Sequence, residues 1–134
     1  MKTFAIAYGA AVMSFLILDG IWLGVVAKTF YAGQLGDLLR KNFLPVPAIA
    51  FYLLYTAGLV FLAVRPGQAD VSLGSVAFYG AVVGFLAYGT YDMTNLATLR
   101  DWPWAVSVVD LLWGTILSSM VATFSALAIR YSGL

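Results

Sequence analysis

Residues 4–26 read FAIAYGAAVMSFLILDGIWLGVV, and only Ser14 and Asp19 interrupt this apolar run. About 20 such residues are enough for an α-helix to cross the hydrocarbon core of a bilayer. The apolar region of a secretory signal is shorter than this. The run therefore predicts a retained transmembrane helix near the start of the chain, with lipid as the solvent of the fold.

Three further apolar runs follow, at residues 43–64, 72–97 and 103–129. Arg65-Pro66-Gly67 supplies a helix breaker and a turn, and the short connection 98–102 makes the last two runs an antiparallel hairpin. The chain is 63% hydrophobic and 10% charged, whereas soluble domains carry about 25% charged residues. The sequence therefore predicts an all-α, polytopic membrane protein, with residues 1–134 forming one four-transmembrane-helix bundle.

The first connection, residues 27–42, is longer than the others. Between residues 30 and 41 its apolar side chains fall near helical spacing, beside Lys28, Arg40 and Lys41. The pattern fits a short amphipathic helix that lies in the membrane interface. It fits an irregular loop equally well, and the sequence leaves both interpretations open.

The residue types that the chain lacks narrow its chemistry. It has no cysteine and no histidine, so disulfides and thiolate chemistry are excluded, and no haem or transition-metal site is expected. A net charge of +1 without a basic block gives no reason to expect nucleic acid as a partner. The partner that the composition does predict is the lipid bilayer.

Three aspartates lie inside the predicted spans: Asp19, Asp92 and Asp110. A carboxylate at mid-membrane costs about 2.5–3.5 kcal/mol on insertion scales. The first and third spans end, and the fourth begins, on the same side of the membrane. At about 1.5 Å per residue, all three aspartates lie roughly 10 Å below that surface. Their shared depth predicts that they face the bundle interior and converge on one polar pocket.

Aromatic, hydroxyl and amide side chains accompany these acids, since helix positions three or four apart share a face. The candidate residues for binding a ligand or ion are Asp19, Trp22, Tyr52, Tyr55, Tyr88, Tyr91, Asp92, Thr94, Asn95, Asp110 and Trp113. A metal ion, if one binds, would use the three aspartates. The competing interpretation is that these groups only join helices through hydrogen bonds. Trp102 and Trp104 flank the last connection, as an interfacial aromatic belt would.

The third span carries a distinctive motif, Tyr91-Asp92-Met93-Thr94-Asn95-Leu96-Ala97-Thr98, followed by Trp102-Pro103. With Asp19-Gly20-Ile21-Trp22 and Asp110-Leu111-Leu112-Trp113, it resembles an uncharacterised bacterial family of small four-helix inner-membrane proteins. That family is a domain of unknown function with the motif Y-D-x-T-N-L-A-T. The resemblance covers essentially the whole chain. It implies a multi-pass protein of the bacterial cytoplasmic membrane, and it implies no activity.

Three classes of function fit these residues. The polar site would bind or transport a small ligand, a cation or a proton, and the narrow bundle would then favour a homo-oligomer. Alternatively, the polar groups would dock the chain as an accessory or structural subunit into a larger membrane complex. A membrane-embedded acid–base enzyme is the third class. No catalytic residue is assigned, and the chain is expected not to be an enzyme.

Membrane orientation can be tested directly because the chain has no cysteine. Lys28, Arg40 and Lys41 cluster in the first connection, so the positive-inside rule favours a cytoplasmic position for the first and third connections. A membrane-impermeant maleimide should label Gln68→Cys in intact bacterial cells and Lys41→Cys only after permeabilisation. The reverse pattern would show the opposite orientation, and labelling of both variants in intact cells would show dual insertion.

Overall fold

The structure of the protein is a computed structural model that describes residues 1–68 and 70–134. The elements in these ranges are all helical: α1 (Lys2–Trp22), α2 (Lys28–Leu35), α3 (Pro45–Leu59), α4 (Leu73–Thr98) and α5 (Trp104–Tyr131). Two π-helical turns, Leu23–Ala27 and Val60–Val64, join α1 to α2 and extend α3. A 3₁₀ turn, Gly36–Leu38, follows α2.

Within the described residues, four continuous helical segments are long and apolar enough to cross a membrane: Lys2–Leu38, Pro45–Val64, Leu73–Thr98 and Trp104–Tyr131. The predicted fold class, an all-α membrane protein with four transmembrane helices, is confirmed. The hydropathy pattern was sufficient for this because each apolar run exceeds the length that a bilayer requires.

The first segment differs from the predicted bounds. Its helix does not end at residue 26, and no separate helix begins at residue 30, because the π-helical turn carries α1 directly into α2. The 37 residues of Lys2–Leu38 would extend about 55 Å as a straight helix, against a hydrocarbon core of about 30 Å. The first segment is therefore longer than a single crossing needs, and an interfacial position for α2 stays a prediction.

Local sequence explains where α3 and α4 begin and where the second segment ends. Pro45 and Pro47 lie in the first turn of α3, where a missing N–H does no harm. Arg65 ends that segment in the left-handed conformation, with φ of 53°, and its N–H closes on the carbonyl of Val60 at 2.9 Å. The Ser72 hydroxyl caps α4 by accepting the N–H of Ser75 at 3.1 Å.

One half of the bundle is tightly packed. There the start of α1 meets the end of the second segment, the start of α4 and the end of α5 around Phe15, Leu59 and Leu117, which are fully buried. The Ser125 hydroxyl donates to the carbonyl of Ala7 at 2.7 Å across this core. The Ser119 hydroxyl donates to the carbonyl of Ala77 at 2.9 Å. These contacts close the end of the bundle that carries the chain termini.

Helices α4 and α5 approach most closely at glycines. A Cβ added at Gly84 would overlap the carbonyl oxygen of Gly114 and the side chain of Ser118. A Cβ added at Gly80 would lie 2.8 Å from the Ser118 carbonyl oxygen. Small residues allow such backbone contact in membrane helices, so Gly80-x-x-x-Gly84 sets the register of the α4–α5 hairpin.

The other half of the bundle is open. From Pro45 to Leu54, the side chains of α3 are exposed except for the half-buried Ala48 and Tyr52. Farther along the same segment, Thr56, Leu59 and Val60 are buried. The second segment therefore joins the bundle through its later half and leaves a space beside its first half.

The glycine contact predicts a stability difference between two Gly→Ala variants. Gly84→Ala should lower the free energy of unfolding by about 1–3 kcal/mol, because the new methyl group has no space between α4 and α5. Gly58→Ala is the matched control, since a Cβ at Gly58 meets no atom within 4 Å. Reversible unfolding in mixed micelles would measure both. Equal stability of the two variants would contradict the packing described for the hairpin.

Candidate functional site

The space in the open half is a cavity of about 750 Å³, lined by residues of all five helices and the adjoining turns. Aromatic side chains form a large part of its wall: Trp22, Tyr31, Phe51, Tyr52, Tyr88, Tyr91, Trp102 and Trp113. The charged residues on the wall are Asp19, Asp110 and Lys28. The cavity is therefore an aromatic chamber that contains two acids and one base.

Two tryptophans join α1 to α5 at this wall. The indole rings of Trp22 and Trp113 stack with their centroids 4.3 Å apart and their planes within 4°. Each lies three residues after an aspartate. The Trp113 Nε1–H donates to Asp19 Oδ1 of the other helix at 3.1 Å, whereas the Trp22 Nε1–H donates to the Tyr31 hydroxyl at 3.3 Å. The repeated Asp-x-x-Trp pattern thus joins the two helices by one stacked pair of rings and one hydrogen bond.

Asp19 is held on both of its oxygens. Tyr52 of α3 donates its hydroxyl to Oδ2 at 2.6 Å, and Trp113 of α5 donates to Oδ1. Asp19 is 8% exposed and still reaches the cavity wall. Its carboxylate therefore links three helices and contributes its charge to the chamber.

Asp110 is held by a residue from the first connection. The Tyr31 hydroxyl donates to Asp110 Oδ1 at 2.9 Å. The same hydroxyl accepts the Trp22 Nε1–H at 3.3 Å. Trp22, Tyr31 and Asp110 thus form a chain of hydrogen bonds from α1 through α2 to α5.

Sequence reasoning missed Tyr31 because it assigned residues 27–42 to a connection between spans, and a regular helix through that connection would also turn Tyr31 away from Trp22. Nine residues separate Trp22 from Tyr31, and at about 100° per residue that places them on opposite faces of an α-helix. The π-helical turn at Leu23–Ala27 accommodates one extra residue, which reduces the angle to roughly 80°. The turn therefore brings Tyr31 towards the face of Trp22, and no strong signal in the local sequence marks it.

Asp92 lies behind the wall, not on it. It is 0% exposed, and neither carboxyl oxygen receives a hydrogen bond from any described residue. Its main-chain carbonyl accepts the Ser107 hydroxyl at 3.0 Å, and that hydroxyl accepts the Trp102 Nε1–H at 3.0 Å. These bonds fix α4 against the first turn of α5 and leave the carboxyl group without a donor.

The structure brings most of the predicted site residues together. Those on the cavity wall are Asp19, Trp22, Tyr52, Tyr88, Tyr91, Asp110 and Trp113. Besides Asp92, the structure keeps Tyr55, Thr94 and Asn95 off the wall. Tyr55 instead pairs with the Ser118 hydroxyl at 2.6 Å in the packed half. Thr94 is exposed, and its hydroxyl bonds to the carbonyls of Thr90 and Tyr91 in its own helix.

Trp102 also lines the cavity, which the sequence did not predict. Its ring packs edge-on against Tyr91 at 5.6 Å between centroids, whereas Trp104 is 70% exposed. Lys28 and Phe51 also line the wall without having been singled out. A lysine beside an interface and a phenylalanine in a span are too common for sequence to single out.

The three aspartates do not form a metal centre. Within residues 1–68 and 70–134, no group of three or more acidic side chains is placed to hold a metal ion. Asp19 and Asp110 share the cavity, while Asp92 lies behind it. The predicted convergence of the three aspartates on one polar pocket therefore holds for the side chains of Asp19 and Asp110 and not for that of Asp92.

The fold and the cavity together define a small integral membrane protein with four candidate membrane-spanning segments in the described residues and an aromatic cavity in one half of the bundle. The chain belongs to the family described as "Predicted membrane protein (DUF2177)", which matches residues 4–127. The predicted resemblance to an uncharacterised membrane family is thereby confirmed. No curated protein and no solved structure matches the chain.

The two-donor arrangement at Asp19 predicts the effect of one hydroxyl group. Tyr52→Phe should lower the free energy of unfolding by about 1–2 kcal/mol, because a nearly buried carboxylate loses a hydrogen-bond donor. Tyr131→Phe is the control, since Tyr131 is 87% exposed. Unfolding in mixed micelles would compare them. If Tyr52→Phe is no less stable than the control, Asp19 is not held by Tyr52.

Proposed function

We propose that the aromatic cavity binds a small organic cation, such as a lipophilic amine or a quaternary ammonium compound. The observation that supports the proposal is the pair of carboxylates, Asp19 and Asp110, on an aromatic wall with donors that are all uncharged. A carboxylate in a membrane is costly unless a charge or a set of dipoles compensates it. A cationic ligand would supply the missing compensation.

The charge balance of the wall favours a cation. In the part of the chain that the structure describes, neither Asp19 nor Asp110 forms an ion pair with a lysine or arginine. Lys28 also lines the cavity, but it is exposed and can extend its ammonium group into water. Even with Lys28 counted, the two carboxylates leave an excess of negative charge on the wall.

The aromatic lining favours an organic ion over an inorganic one. Ammonium groups bind over aromatic faces through cation–π attraction, which strengthens when water is excluded. A volume of about 750 Å³ falls in the range of roughly 300–1,000 Å³ that is usual for small-molecule sites. A bare metal ion would leave most of this space empty and would lack a sufficient number of oxygen ligands.

The shape of the bundle gives the cavity one side of access. The chamber lies in the half where α1 ends and α5 begins, and the packed core around Phe15, Leu59 and Leu117 fills the other half. A ligand would enter from the side of the first and third connections or from the adjoining leaflet. Transport across the membrane would further require this core to open, so binding is the simpler function.

Two ions of the same shape and opposite charge test the proposal. Tetraphenylphosphonium should bind the purified protein in micelles and quench the fluorescence of Trp22 and Trp113, whereas tetraphenylborate should not. Asp19→Asn and Asp110→Asn should each weaken binding at least about tenfold, which corresponds to ~1.4 kcal/mol. Asp37→Asn should leave binding unchanged, because Asp37 is exposed and is not on the wall.

Two outcomes would contradict the proposal. Equal binding of both ions would mean that the cavity selects apolar surface and not charge. Failure of the folded protein to bind either ion would leave the aspartates with the helix-joining role, as expected of an accessory subunit. Circular dichroism and gel filtration of each variant would confirm that lost binding is not lost folding.

A further inference from the structure

Asp92 is a buried acid that cation binding at the wall does not use. Its exposure is 0%, and its two carboxyl oxygens lack a hydrogen-bond donor among the described residues. Buried polar groups are nearly always hydrogen-bonded, and an unpaired buried charge costs far more than an unpaired dipole. The group therefore requires an explanation.

The register of the α4–α5 hairpin places a second carboxyl group beside it. Ser107 of α5 bonds to the carbonyl oxygen of Asp92, and Gly89 of α4 lies opposite Leu111. Asp110 follows Ser107 by three residues, so the two share a helix face, the one that packs on α4.

Two ionised carboxylates in this position would repel each other inside the membrane. A single proton between them removes the repulsion and supplies the absent donor. The proton belongs on Asp92, since Asp110 already accepts the Tyr31 hydroxyl and faces the cavity. As a neutral acid, Asp92 donates its O–H to the Asp110 carboxylate and leaves the negative charge on the wall.

We propose that Asp92 is a neutral carboxylic acid whose hydrogen bond positions the Asp110 carboxylate, so that the pair carries one negative charge and the cavity accepts a monovalent cation. The statement about the ligand rests on the proposed function, and the statement about the proton does not. With Asp19 ionised and Lys28 opposing it in part, a second positive charge on the ligand would have no partner on the wall. Asp92 is thus a positioning residue that never touches the ligand.

No other titratable group near Asp92 and Asp110 is a better site for the shared proton. Asp19 has two donors of its own, and the tyrosines are weaker acids than a carboxyl group. The groups that face the pair or share its cavity are Asp19 of α1, Lys28 and Tyr31 of α2, Tyr52 of α3, and Tyr88 and Tyr91 of α4. None of them donates to Asp92.

Infrared spectroscopy of the ligand-free protein tests the proton directly. At pH 7 the folded wild-type protein should show a carboxylic-acid carbonyl band, which Asp92→Asn removes and Asp37→Asn retains. Absence of any such band from the folded wild-type protein would overturn the proposal outright. A band that persists in Asp92→Asn would assign the proton to another acid and would overturn it equally.

Binding measurements test the positioning role. Asp92→Asn keeps a donor and should bind tetraphenylphosphonium within about threefold of wild type, whereas Asp92→Leu should bind about tenfold more weakly or worse. A loss in Asp92→Asn as large as that in Asp110→Asn would show that Asp92 carries charge, which contradicts the proposal. If Asp92→Leu does not fold, the asparagine variant still decides the question.

A pair of probes that differ in charge tests the selectivity. Hexyltrimethylammonium should bind at least about tenfold more tightly than hexamethonium, which adds a second ammonium group to the same chain length. Tighter binding of the dication, or proton release when the monocation binds, would overturn the single-charge assignment. If no cation binds to wild type, the proposed function fails, and the infrared band alone decides the state of Asp92.

Discussion

The close approach of α4 and α5 is the constraint on which the rest of the structure depends. Gly84 and Gly114 allow the two backbones to meet, and a side chain at either position would collide with its neighbour. At Gly114 that neighbour is the ring of Tyr88, so the contact also fixes one aromatic wall of the cavity. The same register brings Asp92 level with Ser107, about one helical turn before Asp110. Packing that lacks any polar specificity of its own thus sets the relative position of the two acids.

The cavity follows from a difference between the two halves of the bundle. In the tightly packed half, small side chains such as Ala7, Ala11 and Ala122 are fully buried, and the helices pack around them. In the open half, large aromatic rings lie between the helices, and the stacked pair Trp22 and Trp113 occupies the contact between α1 and α5. Bilayer lipid provides no hydrophobic force to close such a space. A chamber can therefore persist at one end without loosening the other.

Sequence could predict what depends on hydropathy and depth. The four apolar runs identified the membrane helices, and the distance of Asp19 and Asp110 from the ends of their helices placed both near one surface, where the structure has them on one wall. It could not predict features set by departures from regular helix geometry or by local bonds. Tyr31 reaches Asp110 only because a π-helical turn rotates it, and the hydroxyl of Thr94 bonds to its own helix.

The hydrogen-bond donors distinguish the two interpretations of the aspartates that the sequence left open: a binding site, or groups that only join helices. If the aspartates only joined helices, each would be expected to have donors from neighbouring helices. Asp19 satisfies this, with one donor from α3 and one from α5, and the helix-joining role accounts for most of its surroundings. Among the residues that the structure describes, Asp110 has one donor, from α2, and Asp92 has none. A carboxyl group that accepts no hydrogen bond cannot join helices as an acceptor. It can stabilise a helix contact only as a neutral acid that donates its own O–H. The helix-joining interpretation therefore weakens from Asp19 to Asp92, where it requires a proton on the carboxyl group itself.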